Sequence, residues 1–341
     1  MERVSDVLFR VARWRRQLRL IAEDPLTLDP RIDPHAQQLG FTHVYVAAEA
    51  GETERWLTSP VYTTEAARRD PIDVCHLAMD RFHVFLEHGD TAARRDFLAV
   101  TRSLLEVGRT VELGGRTCFV MPHFDQVEGY ARHGTPWVNA MVQGWVGALF
   151  MRAHQATGEE RFAEAAVRAV GAFFVPVAHG GVRDLERNGR VFYEKYALPG
   201  QTRHVLNGFM SALLGLWDVA RASGDRDARL AFEEGVASLD DVVLDAYDNG
   251  YTTLYEQRSD RRATPSSVFY TWVHARQIAS IARITREPRL RAWAGAWRAY
   301  SRRIDHRART TLDTMGFRAR SLPRYLGLDR PQDLPRLSRP R

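Results

Sequence analysis

The stretch "VLNGFMSALLGLWDVARASGDRDARLAF", residues 205–232, decides how this chain is read. Residues 205–221 are apolar on nearly every side, the pattern of a helix buried all round. "ASGDRDARLAF" then supplies a Gly-Asp turn and opens a second run, apolar at helical spacing but with a charged face. A buried helix, a tight turn and an amphipathic helix make a helical hairpin.

The same cassette recurs in both directions along the chain. "EHGDTAARRDF" (87–97), "ATGEERFAEAA" (156–166) and "ITREPRLRAWA" (284–294) resemble the central turn. Each follows an apolar run: "DVCHLAMDRFHVFL", "VNAMVQGWVGALFMRAH" and "YTWVHARQIASIAR". The turns lie roughly 65 residues apart, a repeat period that predicts stacked supersecondary units. The reading is a mainly α fold, an α/α toroid of about four hairpins with inner and outer helices; an open solenoid would want more uniform repeats. Three stretches fall outside the hairpins. "VELGGRTCFVMPHF" (111–124) reads as two strands around a Gly-Gly turn, and "DNGYTTLYEQR" (248–258) as an Asn-Gly turn feeding a strand. "FTHVYVAAE" (41–49) is a further strand candidate. The expected organisation is a helix and strand extension over 1–70, the toroid over 71–310 and a Pro/Arg-rich tail over 311–341. Connections between hairpins should emerge at one end, so 122–136, 188–204 and 248–270 should share a rim.

Composition bounds the partners. The chain has 341 residues and a formal net charge of +6, which suits an acidic partner: nucleic acid, anionic lipid or an acidic polysaccharide. Only the net charge speaks for nucleic acid. Two cysteines, Cys75 and Cys118, are too few for a disulfide framework or a zinc site. No P-loop, GxGxxG, HExxH or CxxC occurs, and the twelve histidines form no clear metal triad. No cofactor is expected, and a divalent metal is allowed but not indicated. There is no apolar run of the ~18 residues a membrane span needs and no signal-peptide pattern, so a cytoplasmic protein is expected. Val4, Val7, Leu8, Val11, Trp14, Leu18 and Ile21 give the first segment an amphipathic, basic helical pattern. Such a helix packs on its own domain or on a second subunit, and a homodimer is expected.

The rim segments concentrate polar chemistry. "FYEKYALPG" (192–200) holds Tyr193, Glu194, Tyr196 and Lys195, the only lysine among 48 Lys plus Arg. Arg stays charged, whereas a desolvated Lys can lose its proton near neutral pH. Tyr247, Tyr251 and Tyr255 lie on another rim segment with Arg258 close behind, and Tyr270 opens the last inner helix. Asn207 and Gln143 sit inside otherwise apolar helices, where an unpaired amide is costly. His274 reads as a core histidine.

These motifs resemble one family. Tyr193-Glu194-Lys195-Tyr196, Val205 to Asp218, Tyr247-Asp248-Asn249-Gly250, Thr253 to Arg258, and Tyr270 through His274 to Gln277 are similar, in order and spacing, to the catalytic domain of D-glucuronyl C5-epimerases. "PWVNAMVQG" (136–144) is similar to that family's GWYSAMAQG, and the resemblance spans about residues 71–304. It implies an isomerase that takes a proton from C5 of glucuronate in a heparosan or heparan-type polysaccharide and returns one to the opposite face. On that reading Tyr196, Tyr255 and Tyr270 are the functional tyrosines. Arg258 clamps the carboxylate, and Asn207, Gln143, Asn139 and Tyr193 bind substrate. The family's YEEYP has a second Glu where Lys195 stands. Glu194 with a tyrosine partner is the first reading of the acid/base pair, and Lys195 as the base is the second. A polysaccharide lyase and a non-catalytic glycan-binding relative are the alternatives.

Overall fold

The structure is a computed structural model that describes residues 15, 17–22, 31–42, 64–125, 127, 134, 136–186, 188–258 and 263–325. Four helical hairpins form its body. They are α1 (Pro71–His88) with α2 (Thr91–Val107), α3 (Ala140–Thr157) with α4 (Glu160–Val170), α5 (Leu206–Ser223) with α6 (Arg226–Ser238), and α7 (Val268–Thr285) with α8 (Pro288–Arg302). The recurring turn has one physical design. The first helix ends in a left-handed residue, Gly89, Gly158 or Gly224, and the next residue, Asp90, Glu159 or Asp225, starts the second helix. Glycine adopts that conformation without a Cβ penalty, and Asp90 and Asp225 accept orphan amides of the new helix. The fourth turn uses Arg286 at φ 63 in the glycine position.

The first helices of successive hairpins pack on one another in chain order, α1 on α3, α3 on α5 and α5 on α7. They lie inside, and α2, α4, α6 and α8 keep charged faces in water. The α3–α5 crossing is the tightest. A Cβ added at Gly215 would meet the Gly144 carbonyl carbon at 2.3 Å, and one at Gly144 would meet the Ala212 oxygen at 2.9 Å. Two glycines therefore let the backbones touch where any side chain would part them. The mainly α class expected from the sequence stands. Among the described residues these contacts run from hairpin to hairpin along an arc.

Only short two-stranded sheets accompany the helices in the described residues. β1 (Arg109–Leu113) and β2 (Arg116–Val120) pair antiparallel around Gly114 and Gly115, both at positive φ, as the Gly-Gly turn predicts. β3 (Pro122–His123) pairs β4 (Trp137–Val138), β5 (Arg183–Leu185) pairs β6 (Val191–Tyr193), and β7 (Leu254–Glu256) pairs β8 (Thr264–Pro265). Of the expected strand over 41–49, Phe41 and Thr42 are not in a strand and the rest lies outside the described residues. Residues 31–42 instead cover the far ends of α3 and α5. Trp217 Nε1 donates to Pro34 O at 2.6 Å, Arg221 Nη1 to Asp33 O and Ala36 O, and Arg152 Nε to Gly40 O. Asp218 lies between the two buried guanidiniums, 2.9 Å from Arg152 Nη2 and 2.8 Å from Arg221 Nη2. A buried charge persists only with such partners. The helix α9 (Ile304–Tyr325) runs through the start of the expected tail, so residues 311–325 are not loose; 326–341 lie outside the described residues. Of the expected N-terminal helix, Leu18 and Ile21 are described, both helical and with Ile21 buried; Val4, Val7, Leu8, Val11 and Trp14 are outside. No described helix is long and apolar enough to cross a membrane.

Candidate active site

The rim expected from the hairpin pattern exists, at the N-terminal ends of α3, α5 and α7. Ala197 N donates to Val138 O at 3.2 Å and Ala140 N to Glu194 O at 3.0 Å. Val205 bridges Glu256, and Gln257 N donates to His204 O at 3.3 Å. These bonds join the segments around 138, 194–205 and 256.

Leaving β6, the extended backbone sends successive side chains to opposite sides. Tyr193 turns into the core, edge-on to Phe173, and donates to Ala231 O at 2.8 Å. Burial pushes its phenol well above the usual range. Tyr193 is therefore a core residue and not the substrate contact expected. Glu194 points the other way. Its Oε1 accepts the backbone amides of Arg203 (2.9 Å) and His204 (3.1 Å). Lys195 turns back toward α5, and its stem lies across Gly208. A Cβ there would come within 2.7 Å of the lysine Cβ.

Lys195 enters a cage of tyrosines. Its Nζ donates to the Tyr255 hydroxyl at 3.4 Å and lies 5.3 Å from the centroid of the Tyr196 ring. The Arg203 guanidinium lies 5.1 Å from the same centroid and is ion-paired with Glu256. Tyr255 and Tyr270 meet edge-to-face, centroids 4.8 Å apart, and share a hydrogen bond. Burial, then the neighbouring Tyr196 and Glu256, push the Tyr255 phenol up against the opposing pull of Arg203 and Tyr270. At neutral pH Tyr255 is thus a proton donor. Lys195, Tyr196, Tyr255 and Tyr270 of the expected set are brought together. Glu194 is not with them, which corrects its reading as the tyrosines' acid/base partner.

Two residues of this region escaped the sequence reading. Arg203 is one of many arginines and has no motif of its own. His123 pairs with Trp137 across β3 and β4, and its ring stacks on that indole at 4.4 Å. Trp137 in turn contacts Tyr196 at 5.7 Å. Burial, then the charge of Lys195, push the His123 imidazole down to about 3, so it is neutral, and its buried Nε2 has no hydrogen-bond partner among the described residues. A histidine in a two-residue strand gives no sequence signal beyond its type.

The expected binding residues divide. Gln143 is spent on backbone: Oε1 accepts from Met121 N at 2.7 Å, and Nε2 donates to Phe119 O at 2.8 Å and Ala169 O at 3.3 Å. It clamps the β2–β3 chain to α3 and is not a substrate contact. Asn139 caps α3 through Met141 N and Val142 N, leaving a buried, unpartnered Nδ2. Asn207 has a buried, unpartnered Oδ1, while its carbonyl accepts from Gln277 Nε2 at 3.1 Å. Arg258 is partly buried two residues beyond β7. His274 is fully buried and neutral, pushed down to about 3 by burial, with Nδ1 at 2.8 Å from Thr253 Oγ1.

On the far side of Glu194 a second polar cluster forms. Asp184, Glu194 and His204 each offer a ligand atom within 4.8 Å of the others. Burial pushes Glu194 up to about 7, against His204 and the two backbone amides that lower it. Burial disfavours the charged form of His204, but Asp184, Glu186 and Glu194 override it and hold the imidazole up to about 10.

Residues 116–299 match the family described as D-glucuronyl C5-epimerase C-terminus. The chain is 31% identical over 188 residues to the D-glucuronyl C5-epimerase of Caenorhabditis elegans, covering 50% of this chain and 30% of that protein. It is also 33% identical over 130 residues to an uncharacterized protein of Methanocaldococcus jannaschii, covering 35% of this chain and 42% of that one. The chain thus spans less than half the length of either relative. The family match takes in β2 through most of α8, with Lys195, Tyr255 and Tyr270 inside it, and this chain belongs to the D-glucuronyl C5-epimerase C-terminus family.

Proposed function

We propose that the chain epimerises D-glucuronate to L-iduronate at C5 within a heparosan or heparan-type polysaccharide. The observation that carries this reading is the convergence of Tyr196, Tyr255 and Tyr270 on the two cations Lys195 and Arg203. The C5 proton becomes acidic only as the adjacent carboxylate takes up charge, so the reaction needs positive charge at that carboxylate. Lys195 supplies it, with Arg203, itself ion-paired to Glu256, and Arg258 as the further guanidiniums on the same rim. The N-termini of α3, α5 and α7 add the positive ends of three helix dipoles.

The chemistry then balances in two proton transfers. Tyr196, which faces Lys195 and Arg203, takes the C5 proton, and the electron pair delocalises into the carboxylate as an enolate. Tyr255, which holds its proton and is steadied by Tyr270, returns a proton to C5 on the opposite face. Solvent exchange resets both phenols. The neutral His123 Nε2 and the Asn207 Oδ1 are free to hydrogen-bond sugar hydroxyls, which favours a sugar over a fully anionic ligand.

The test is product analysis on a heparosan-type polymer. Iduronate signals by NMR support the reading. Unsaturated 4,5-ends seen by ultraviolet absorbance would replace it with a lyase, which shares the first proton transfer but expels the C4 oxygen. Polymer binding without either product would leave a non-catalytic relative.

A further inference from the structure

The cluster behind Glu194 is built as a ligand set. His204 stacks flat on Phe192 at 4.3 Å, which fixes the plane of its ring. Its Nδ1 lies 3.0 Å from Glu186 Oε1. Its Nε2 faces two carboxylates, 3.2 Å from Asp184 Oδ2 and 3.6 Å from Glu194 Oε1. A carboxylate that takes the Nδ1 proton while Nε2 points at further anionic donors is the arrangement that orients a metal-binding histidine. The donors are themselves held. Thr202 Oγ1 donates to Asp184 Oδ2 at 3.1 Å, Leu185 N to Asp184 Oδ1 at 2.8 Å, and two backbone amides hold Glu194 Oε1.

Two further observations point to a ligand. Glu194 is 1% exposed, and its buried Oε2 has no hydrogen-bond partner among the described residues. Glu194 and Asp184 also line a cavity of about 330 Å³, bounded by Pro176, Leu198 and Gln201. Among the described residues three carboxyl groups gather on one imidazole, while the flanking Arg183 and Arg203 are paired with Glu234 and Glu256. A divalent cation is a counter-charge suited to such a set.

We propose that Asp184, Glu194 and His204 bind one divalent transition-metal ion, with Glu186 orienting the imidazole. One imidazole with carboxylates suits Mn²⁺ or Zn²⁺ better than an all-oxygen Ca²⁺ site. The ion takes the place of the proton on Nε2. It ties the β5–β6 ribbon to the 202–204 turn, the backbone from which Arg203 reaches Tyr196. The site is distinct from the tyrosine cage and does not depend on the epimerase reading.

The test uses the full chain, treated with chelator and dialysed, then titrated with Mn²⁺ while free ion is read by EPR. One equivalent should bind and raise the melting temperature. Pulsed EPR of the bound ion should show coupling to an imidazole nitrogen. Asp184→Asn, at the half-buried cavity wall, and Glu194→Gln, which keeps an acceptor for the two amides, should each abolish binding. Absence of Mn²⁺ binding, together with absence of Zn²⁺ binding by calorimetry, overturns the proposal and leaves a proton as the only cation in the cluster. Binding that survives both substitutions, or that lacks nitrogen coupling, overturns it too, because the ion is then held elsewhere. Should neither variant fold, the nitrogen coupling in the unaltered protein decides.

Discussion

Glu194 and Lys195 are neighbours in the chain and occupy two different chambers. Glu194 is fixed by backbone amides and shares its surroundings with Asp184 and His204. Lys195 lies among tyrosine rings, with its stem on a glycine of α5. The chain bends at 195–196 directly after β6, and the two side chains enter different surroundings, so the two are not interchangeable. The Glu194 chamber is built of carboxyl groups, an imidazole and backbone amides beside a cavity. The Lys195 chamber is built of phenol rings, an ammonium and a guanidinium.

The comparison breaks first if the tyrosine side is not where the chemistry occurs. Tyr255→Phe removes one hydroxyl and keeps the ring packing. Turnover should fall at least about 100-fold, the scale of a lost general acid. A steady-state assay with circular dichroism as the fold control checks this, and full activity would sink the assignment. Lys195→Glu restores the family's residue type but puts a carboxylate where the ammonium meets the Tyr255 hydroxyl. Turnover should fall by roughly 10-fold or more as carboxylate neutralisation is lost. A rise in activity would show that position 195 is a carboxylate slot that the lysine merely fills.

Gly208→Ala sharpens the comparison without touching a charged group. The added Cβ meets the Lys195 stem, so the ammonium must move or the helix must shift. Overpacking of this kind costs about 1–3 kcal/mol. Urea unfolding should show that loss, with kcat reduced in the folded fraction. Unchanged stability and turnover would mean that the lysine stem does not lie there.

The smallest effect concerns pH. His123 and His274 are buried neutral, with imidazoles at about 3 in the folded chain. In the unfolded chain they titrate near 6.5. Their contribution is therefore fully present above pH ~6.5 and is lost as the pH falls toward 3, because the unfolded state binds the proton first. Between pH 7 and pH 5 each of the two should cost on the order of 1 kcal/mol of unfolding free energy. Glu194 and His204, held up in the folded chain, bind protons more readily there than in the unfolded chain over the same range and oppose that loss. Urea unfolding of His274→Gln should therefore lose less stability from pH 7 to pH 5 than the unaltered protein, and an identical change in both would exclude His274 as a source.

Much of this was legible in the sequence. Gly-Asp and Gly-Glu turns at a regular spacing gave the hairpins, because a left-handed residue followed by a cap is local chemistry. The Gly-Gly turn gave β1 and β2 for the same reason. Residues 311–325 were read as part of the tail and lie in α9, because Pro and Arg content alone does not exclude a helix. At the site, Lys195, Tyr196, Tyr255 and Tyr270 came from motif order. Glu194, Tyr193 and Gln143 were misread because their side chains answer to backbone groups at 203–204, 231 and 119–169, which no local pattern displays. Arg203, His123 and the Asp184–His204 cluster were missed for the converse reason: their partners meet only in three dimensions.

Deuterium wash-in at C5 tests the central claim most directly. The protein and Tyr255→Phe are incubated side by side with a heparosan-type polymer in deuterated water, and the uronate signals are read by NMR. The account predicts deuterium at C5 with iduronate formed by the unaltered protein, and loss of both in the folded variant. No deuterium with the unaltered protein while the polymer is bound, or equal wash-in by the variant, would contradict it.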